Sequence, residues 1–193
     1  MRAQRTAGGE VLEVVMGDAA LSVGCASQTV GVADFKRAMR SLVSGVTIVT
    51  TGRGDSRKGL VASAVCSVSV DPPLLLVCVN KEASSHDPLL ANGCFCVNVL
   101  GRSHAELVRP FSRQSAAHER FTRGRWETLV TGSPALAEAP ANFDCRIRDS
   151  MSAATHTIIL GEVQAIRMNA GCEPLVYGFG SLGHYTPLPG EAS

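Results

Sequence analysis

The chain has 193 residues, the size of one domain and long enough to bury a substantial core. Its 18 Lys and Arg against 17 Asp and Glu leave a net charge of +1, which gives no electrostatic reason to expect nucleic acid or an anionic membrane as a partner. No apolar run approaches the ~20 residues of a transmembrane helix. Residues 11–26 are apolar, but Glu13 and Asp18 interrupt them, so they lack the h-region of a signal peptide and a cytoplasmic location is expected.

Hydrophobic residues make up 45% of the chain, a slight surplus that a partner subunit can cover. Seven cysteines are an odd number in a chain too long to need disulfide staples. Cys94 and Cys96 share a strand face beside Phe95 and Val97 without a CxxC pair, so they are expected to be small buried hydrophobes and no metal site is expected.

Residues 1–31 are rich in Gly, Ala and Ser without steady periodicity and are taken as a flexible extension; residues 32–193 form the domain. A helix is expected from an Asp34 cap, with Phe35, Ala38, Met39, Leu42 and Val43 forming a core-facing stripe. After Gly45, residues 46–51 (VTIVTT) are a β-branched strand, and GRGDSRKG is a hairpin loop.

Residues 59–73 (GLVASAVCSVSVDPP) alternate at a period of two. Leu60, Ala62, Ala64, Cys66, Val68 and Val70 make one apolar face, and Ser63, Ser67 and Ser69 stand on the other between Val61 and Val65. No charge lies between Lys58 and Asp71, so the polar face is expected to meet a crevice rather than bulk water. It is either a buried strand whose serines bond back to the backbone or a wall for a flat ligand. Pro72 and Pro73 stop the ladder, since neither has an N–H.

Residues 74–80 form an apolar strand, a short helix begun by Ser84 or Ser85 ends near Gly93, and residues 94–100 (CFCVNVL) form another buried strand. Ser103 caps a helix running to Phe111, and residues 112–126, with four arginines, read as a polar surface loop or lid. Two long strands, 141–150 and 155–168, and a last one at 175–179 complete a mainly β chain with short connections, which favours a barrel with a few packed helices.

Residues 178–183 (GFGSLG) match the G-x-G-x-x-G fingerprint, but only ten residues follow, Pro187 and Pro189 among them, so no helix can present its N-terminus to a pyrophosphate. The match is chance. The five histidines are scattered, and no acidic pair stands out as general acid and base. Hydroxyls, amides and arginines recur beside apolar strands, a set suited to binding a cofactor.

The blocks FKRAMRSLVSGVTIVTT, GLVASAVCSVSVDPPLLLVCVN, FCVNVL, ERF…W, FDCRI, THTIILGEV and PLVYGFGSLGHY resemble the flavin reductases that serve two-component flavin-dependent monooxygenases. Among these the chain resembles the 4-hydroxyphenylacetate 3-monooxygenase reductase and the flavin reductase of pyrimidine degradation, through the ASAVCSV signature. The resemblance spans about residues 33–187. It implies an FMN-binding split β-barrel working as a homodimer. It also implies hydride transfer from NADH (or NADPH) to FMN (or FAD), and reduced flavin that diffuses to a partner monooxygenase. The cofactors supply such chemistry while the protein aligns the two rings, which accounts for the missing acid–base pair.

By position, the resemblance puts Val61, Ala62, Ser63 and Ala64 along the flavin ring, with Thr47 from the neighbouring strand and Ser67 and Ser69 before the Pro-Pro turn. Ser84, Ser85 and His86 match the flavin phosphate site, and Asn98, Val99 and Leu100 lie beneath the flavin. Phe111, Ser112 and Arg113 match a segment near the ribityl chain and phosphate. His156 matches the histidine over the flavin where nicotinamide stacks, and Tyr185 an aromatic at that mouth. Two residues depart from the pattern: Val61 where relatives commonly have Thr, and Ala154 where a glycine usually precedes the Thr-His pair. Other classes compatible with the same fold are a flavin-binding electron-transfer protein with little free-flavin turnover and a pyridoxamine-phosphate-oxidase-like enzyme. The latter calls for a denser basic set for a second phosphate.

Overall fold

The computed structural model describes residues 29–190. The reading of the N-terminal extension thus falls almost wholly outside the described residues. In chain order, α1 (Val32–Met39) is followed by β1 (Ser44–Gly45), β2 (Thr47–Thr51), β3 (Lys58–Ala62), β4 (Val65–Val70) and β5 (Pro73–Asn80). Then come α2 (His86–Asn92), β6 (Cys94–Val99), a 3-10 helix at Arg102–Leu107 and α3 (Val108–Ser112). After a further 3-10 turn at Gln114–Glu119 come β7 (Trp126–Thr128), β8 (Pro134–Leu136), β9 (Ala141–Ala153), β10 (His156–Met168), β11 (Leu175–Gly178) and β12 (Ser181–His184).

Seven strands form one antiparallel sheet in the order β3-β2-β6-β9-β10-β5-β4. The alternation expected to run through residues 59–73 breaks at Ser63 and Ala64, and its two halves lie at opposite edges of this sheet. Three peptide steps span only about 10 Å, so the sheet must curl until its edges approach. The Cys78 N–H donates to the Ala64 carbonyl (3.0 Å), but β3 and β4 share no ladder among the described residues. The result is a barrel split along one seam, in agreement with the fold expected from the sequence.

The curled sheet encloses Val49, Val77, Val79, Phe95, Val97, Cys145 and Ile159. Gly161 permits this packing, because a Cβ there would come within 2.5 Å of the Phe95 ring. A second apolar cluster lies on the outer side of β2, where Val46 and Ile48 meet Leu100, Leu107, Phe111, Leu136 and Leu175. Strand β2 is thus buried on both faces, which is why its sequence is continuously β-branched rather than alternating with charge.

Several local expectations change. The first helix begins at Val32, with Asp34 in its first turn bonded to Arg37 (2.8 Å). Its stripe does not face a core: no residue of α1 is buried, and Phe35 is 58% exposed. Pro72 and Pro73 form the β4–β5 turn, and Pro73 already pairs with Val70. The segment after α3 is not simply a polar loop, because Phe121 and Trp126 stack with Phe111 at centroid distances of 5.1 and 5.7 Å. Residues 178–183 form the β11–β12 hairpin, with no helix following.

Candidate active site

A cleft of about 650 Å³ opens where the β3 edge, the end of β5, the turn after it and α3 converge. Leu60, Val61 and Phe111 form apolar walls, while Asn80, Glu82, Ser84, Ser85, Ser112, Gln114 and Arg120 supply polar groups. The size and the mixture suit an organic cofactor.

Local chemistry fixes each wall. The Asn80 side-chain oxygen accepts from the Glu82 N–H (2.9 Å), a turn that short polar side chains favour. The Ser85 hydroxyl donates to the Gly59 carbonyl (2.9 Å) and ties this turn to β3. Phe111 sits so close to Gly59 that a Cβ there would come within 2.7 Å of the ring. Arg120 is held by its Nε–H to the Pro110 carbonyl (2.9 Å) and by Nη1 to the Ser84 hydroxyl (3.3 Å). Partial burial lowers the Arg120 pKa from its ordinary value, so an anion beside it would restore what desolvation costs. One end of the cleft is therefore apolar and the other is suited to a phosphate.

His156 is not among the residues that line the cleft. It opens β10 directly opposite Asn80 in the β5–β10 ladder, with the Thr155 hydroxyl 2.9 Å from its Nδ1. The β9–β10 turn is pinned there by Lys81, whose Nζ donates to the Ser152 hydroxyl and the Ala154 carbonyl, both at 2.7 Å. Ala154 has φ of 48°, the left-handed conformation for which glycine is suited.

Of the residues expected at the site, Val61, Ser84, Ser85, Phe111 and Ser112 line this cleft. Ser63 and Ala64 lie exposed on the link beyond Val61, and the Ala62 side chain is buried in the first core. His86 is buried: its Nδ1–H donates to Asp87 (2.7 Å), and Nε2 is 2.9 Å from the Thr157 hydroxyl, so its ring is committed within the fold. The helix it opens, α2, has seven residues, too short to add a macrodipole of consequence.

Thr47, Ser67, Ser69 and Val99 line a different groove, largely apolar and about 440 Å³ in volume. The Thr47 hydroxyl donates to the Ala62 carbonyl (2.7 Å) and that of Ser69 to the Asp71 carbonyl (3.1 Å), so both bond back to the chain. Asn98 and Leu100 are fully buried and touch neither cavity. Asn98 is a structural junction: its amide donates to the Ile48 carbonyl (2.9 Å), and its oxygen accepts from the Leu136 N–H (2.7 Å) and Asn142 (2.8 Å). Arg113 is exposed and outside the cleft, because the chain turns extended after α3 and carries it away. Tyr185 is 60% exposed just past β12.

The sequence reading missed Asn80, Glu82, Gln114 and Arg120. Arg120 lay within the quoted ERF block, and Asn80 was a polar residue ending an apolar run; both were visible signals. The two buried cysteines are poor nucleophiles: burial pushes the Cys145 thiol up to about 12 and the Cys96 thiol well above its ordinary value.

The chain matches the family described as flavin reductase like domain over residues 39–186. It is 43% identical over 153 residues to the FMN reductase (NADH) RutF of Pseudomonas syringae, covering 79% of this chain and 85% of that one. Among solved structures it is similar to the Streptomyces globisporus NADH:FAD oxidoreductase SgcE6 in complex with NAD and FAD fragments. That likeness has a TM-score of 0.74 at 32% identity and covers 80% and 93% of the two chains. It is also similar to BorF, the flavin reductase component of a bacterial two-component tryptophan halogenase, with a TM-score of 0.73 at 31% identity over 81% and 99% of the chains.

Proposed function

The chain belongs to the flavin reductase like family, and from that premise and the cleft we propose that it is an NADH-dependent flavin reductase. The observation that carries the site is one cavity with apolar walls at Leu60, Val61 and Phe111 and a hydroxyl and guanidinium side by side at Ser84 and Arg120. A flavin mononucleotide has the same division, a flat ring system at one end and a phosphate at the other. When bound, it supplies the hydride-accepting chemistry.

The chain's own residues bind and orient. Leu60, Val61 and Phe111 would exclude water from the ring's place, and the backbone of Ser63 and Ala64, just beyond Val61, would bond its polar edge. Arg120, braced by Pro110, pairs with the phosphate in a charge-assisted hydrogen bond. His156, the ladder partner of the cleft residue Asn80, is assigned by the family resemblance to the side on which nicotinamide would stack. No side chain need gain or lose a proton for hydride transfer, which fits a cleft without an acid–base pair. The family resemblance and the solved relatives support delivery of reduced flavin to a separate oxygenase or a similar flavin-dependent partner. The chain acts as a homodimer in the cytoplasm; exposed apolar side chains on α1 and β4 support the first, and the six described cysteines, all free, support the second.

The test is NADH consumption with and without added FMN or FAD. Turnover should rise and saturate with free flavin, and His156→Ala should raise the NADH KM several-fold while kcat changes less. A protein that binds flavin, yet whose NADH and NADPH consumption never rises with free flavin, is an electron carrier on the same fold instead. An unchanged KM removes His156 from the nicotinamide site.

A further inference from the structure

Beyond Arg120 the cleft does not end. The hairpin loop between β2 and β3 and the segment after α3 enclose a second chamber of about 330 Å³. Ser84, Gln114 and Arg120 line both cavities, so the two share a wall. Three cations, Arg57, Lys58 and Arg120, line the second chamber against a single carboxylate, Asp55.

The two arginines are oriented by the fold, and none of the three cations is paired with a carboxylate among the described residues. The Arg57 Nε–H donates to the Gly54 carbonyl (2.8 Å), and its guanidinium lies 4.8 Å from the centre of the Phe121 ring. Phe121 in turn is fixed by edge packing on Phe111, 5.1 Å away, and Trp126, 5.0 Å away. Neither Arg57 nor Lys58 forms an ion pair with a carboxylate among the described residues, although Asp55 borders the same chamber. Holding like charges together without a partner is unfavourable, and an anion between them relieves it.

We infer that this chamber is a second phosphate subsite, occupied by the outer phosphate of a dinucleotide flavin, so that Arg57 and Lys58 set the affinity for FAD over FMN. The inference rests on the reading of the cleft as a flavin site. The first phosphate meets Ser84 and Arg120. In a diphosphate the second phosphorus shares an oxygen with the first, so it must lie immediately beside it, and the shared wall at Arg120 opens onto Arg57 and Lys58. A guanidinium presents donors in a planar fork, which lets Arg120 face both phosphates. FMN, with one phosphate, leaves the second chamber to solvent. The same cations could be met by the extra 2′-phosphate of NADPH, a phosphate ester from a different source, and the experiment separates the two.

Dissociation constants for FMN and FAD are measured by flavin fluorescence titration on the whole chain and on the double variant Arg57→Gln with Lys58→Ala. NADH and NADPH KM values are measured on both with FMN as acceptor. The FAD constant should rise about tenfold in the variant, as expected for loss of charge-assisted contacts. The FMN constant should stay within about twofold, which also shows that the variant is folded. Added salt should weaken FAD more than FMN in the unsubstituted chain and erase that difference in the variant. Equal weakening of both flavins, or an unchanged FAD constant, overturns the inference. A rise in the NADPH KM with FAD binding unchanged overturns it in favour of the nicotinamide phosphate. If the unsubstituted chain binds neither flavin, it is the reading of the cleft that has failed, and the inference falls with it.

Discussion

Ala154 is where a single side chain carries a visible cost. At φ of 48° its Cβ crowds the following carbonyl, a conformation that costs an alanine roughly 1–2 kcal/mol relative to glycine. Lys81 holds the turn in that shape by bonding the Ala154 carbonyl, so the strain is borne by the same contact that positions His156. Ala154→Gly should therefore stabilise the chain by about 1 kcal/mol in urea unfolding, after the greater entropy of a glycine in the unfolded state is deducted. An equal or lower midpoint would show that the turn relaxes at no cost. This position stood out only through the family resemblance, which implies a glycine there. The choice between Arg113 and Arg120 was not legible in the sequence, because the segment holds several arginines and only the chain's direction after Ser112 decides which one enters the cleft.

Among the elements, β2 and β6 show what pattern reading can and cannot reach. Both were found, with nearly correct ends, because continuous β-branched and apolar runs of that length leave few alternatives. The role of Asn98 within β6 was not accessible, since an asparagine pointing inward from a strand has the same sequence whether it meets a ligand or the backbone of its neighbours. Here it bonds β2, β9 and the last residue of β8. Asn98→Ala would leave the Leu136 N–H and the Ile48 carbonyl short of partners in a dry interior, and should cost about 2–4 kcal/mol in chemical denaturation. Flavin affinity measured below the unfolding transition should be little changed. A loss of affinity with stability intact would instead return Asn98 to the floor of the flavin site. The break at Ser63 and Ala64 escaped for a related reason: no glycine, proline, asparagine or aspartate marks it, and a lone serine also fits the polar face of an alternating strand.

For the whole molecule, the slight apolar surplus in the composition has a location. Phe35, Met39 and Leu42 are exposed on and after α1, Val70 is 92% exposed on β4, and Ile166 and Met168 are exposed at the end of β10. Apolar side chains this large and this numerous are normally covered. Sedimentation equilibrium should return twice the chain mass at micromolar concentration, and Phe35→Lys with Val70→Lys should shift it to the mass of one chain. A monomer that stays soluble and turns over flavin at full rate would mean that these faces serve some other contact.

The seam between β3 and β4 also sets the order in which the protein can be made. The two N-terminal hairpins, β2–β3 and β4–β5, are neighbours along the chain, yet β6, β9 and β10 stand between them in the sheet. A nascent chain can therefore close each hairpin early but has nothing to join them until the last long strand has left the ribosome. Until then the edges of both hairpins stay open to mispairing, and the flavin cleft, built from one hairpin, the end of the other and α3, does not yet exist.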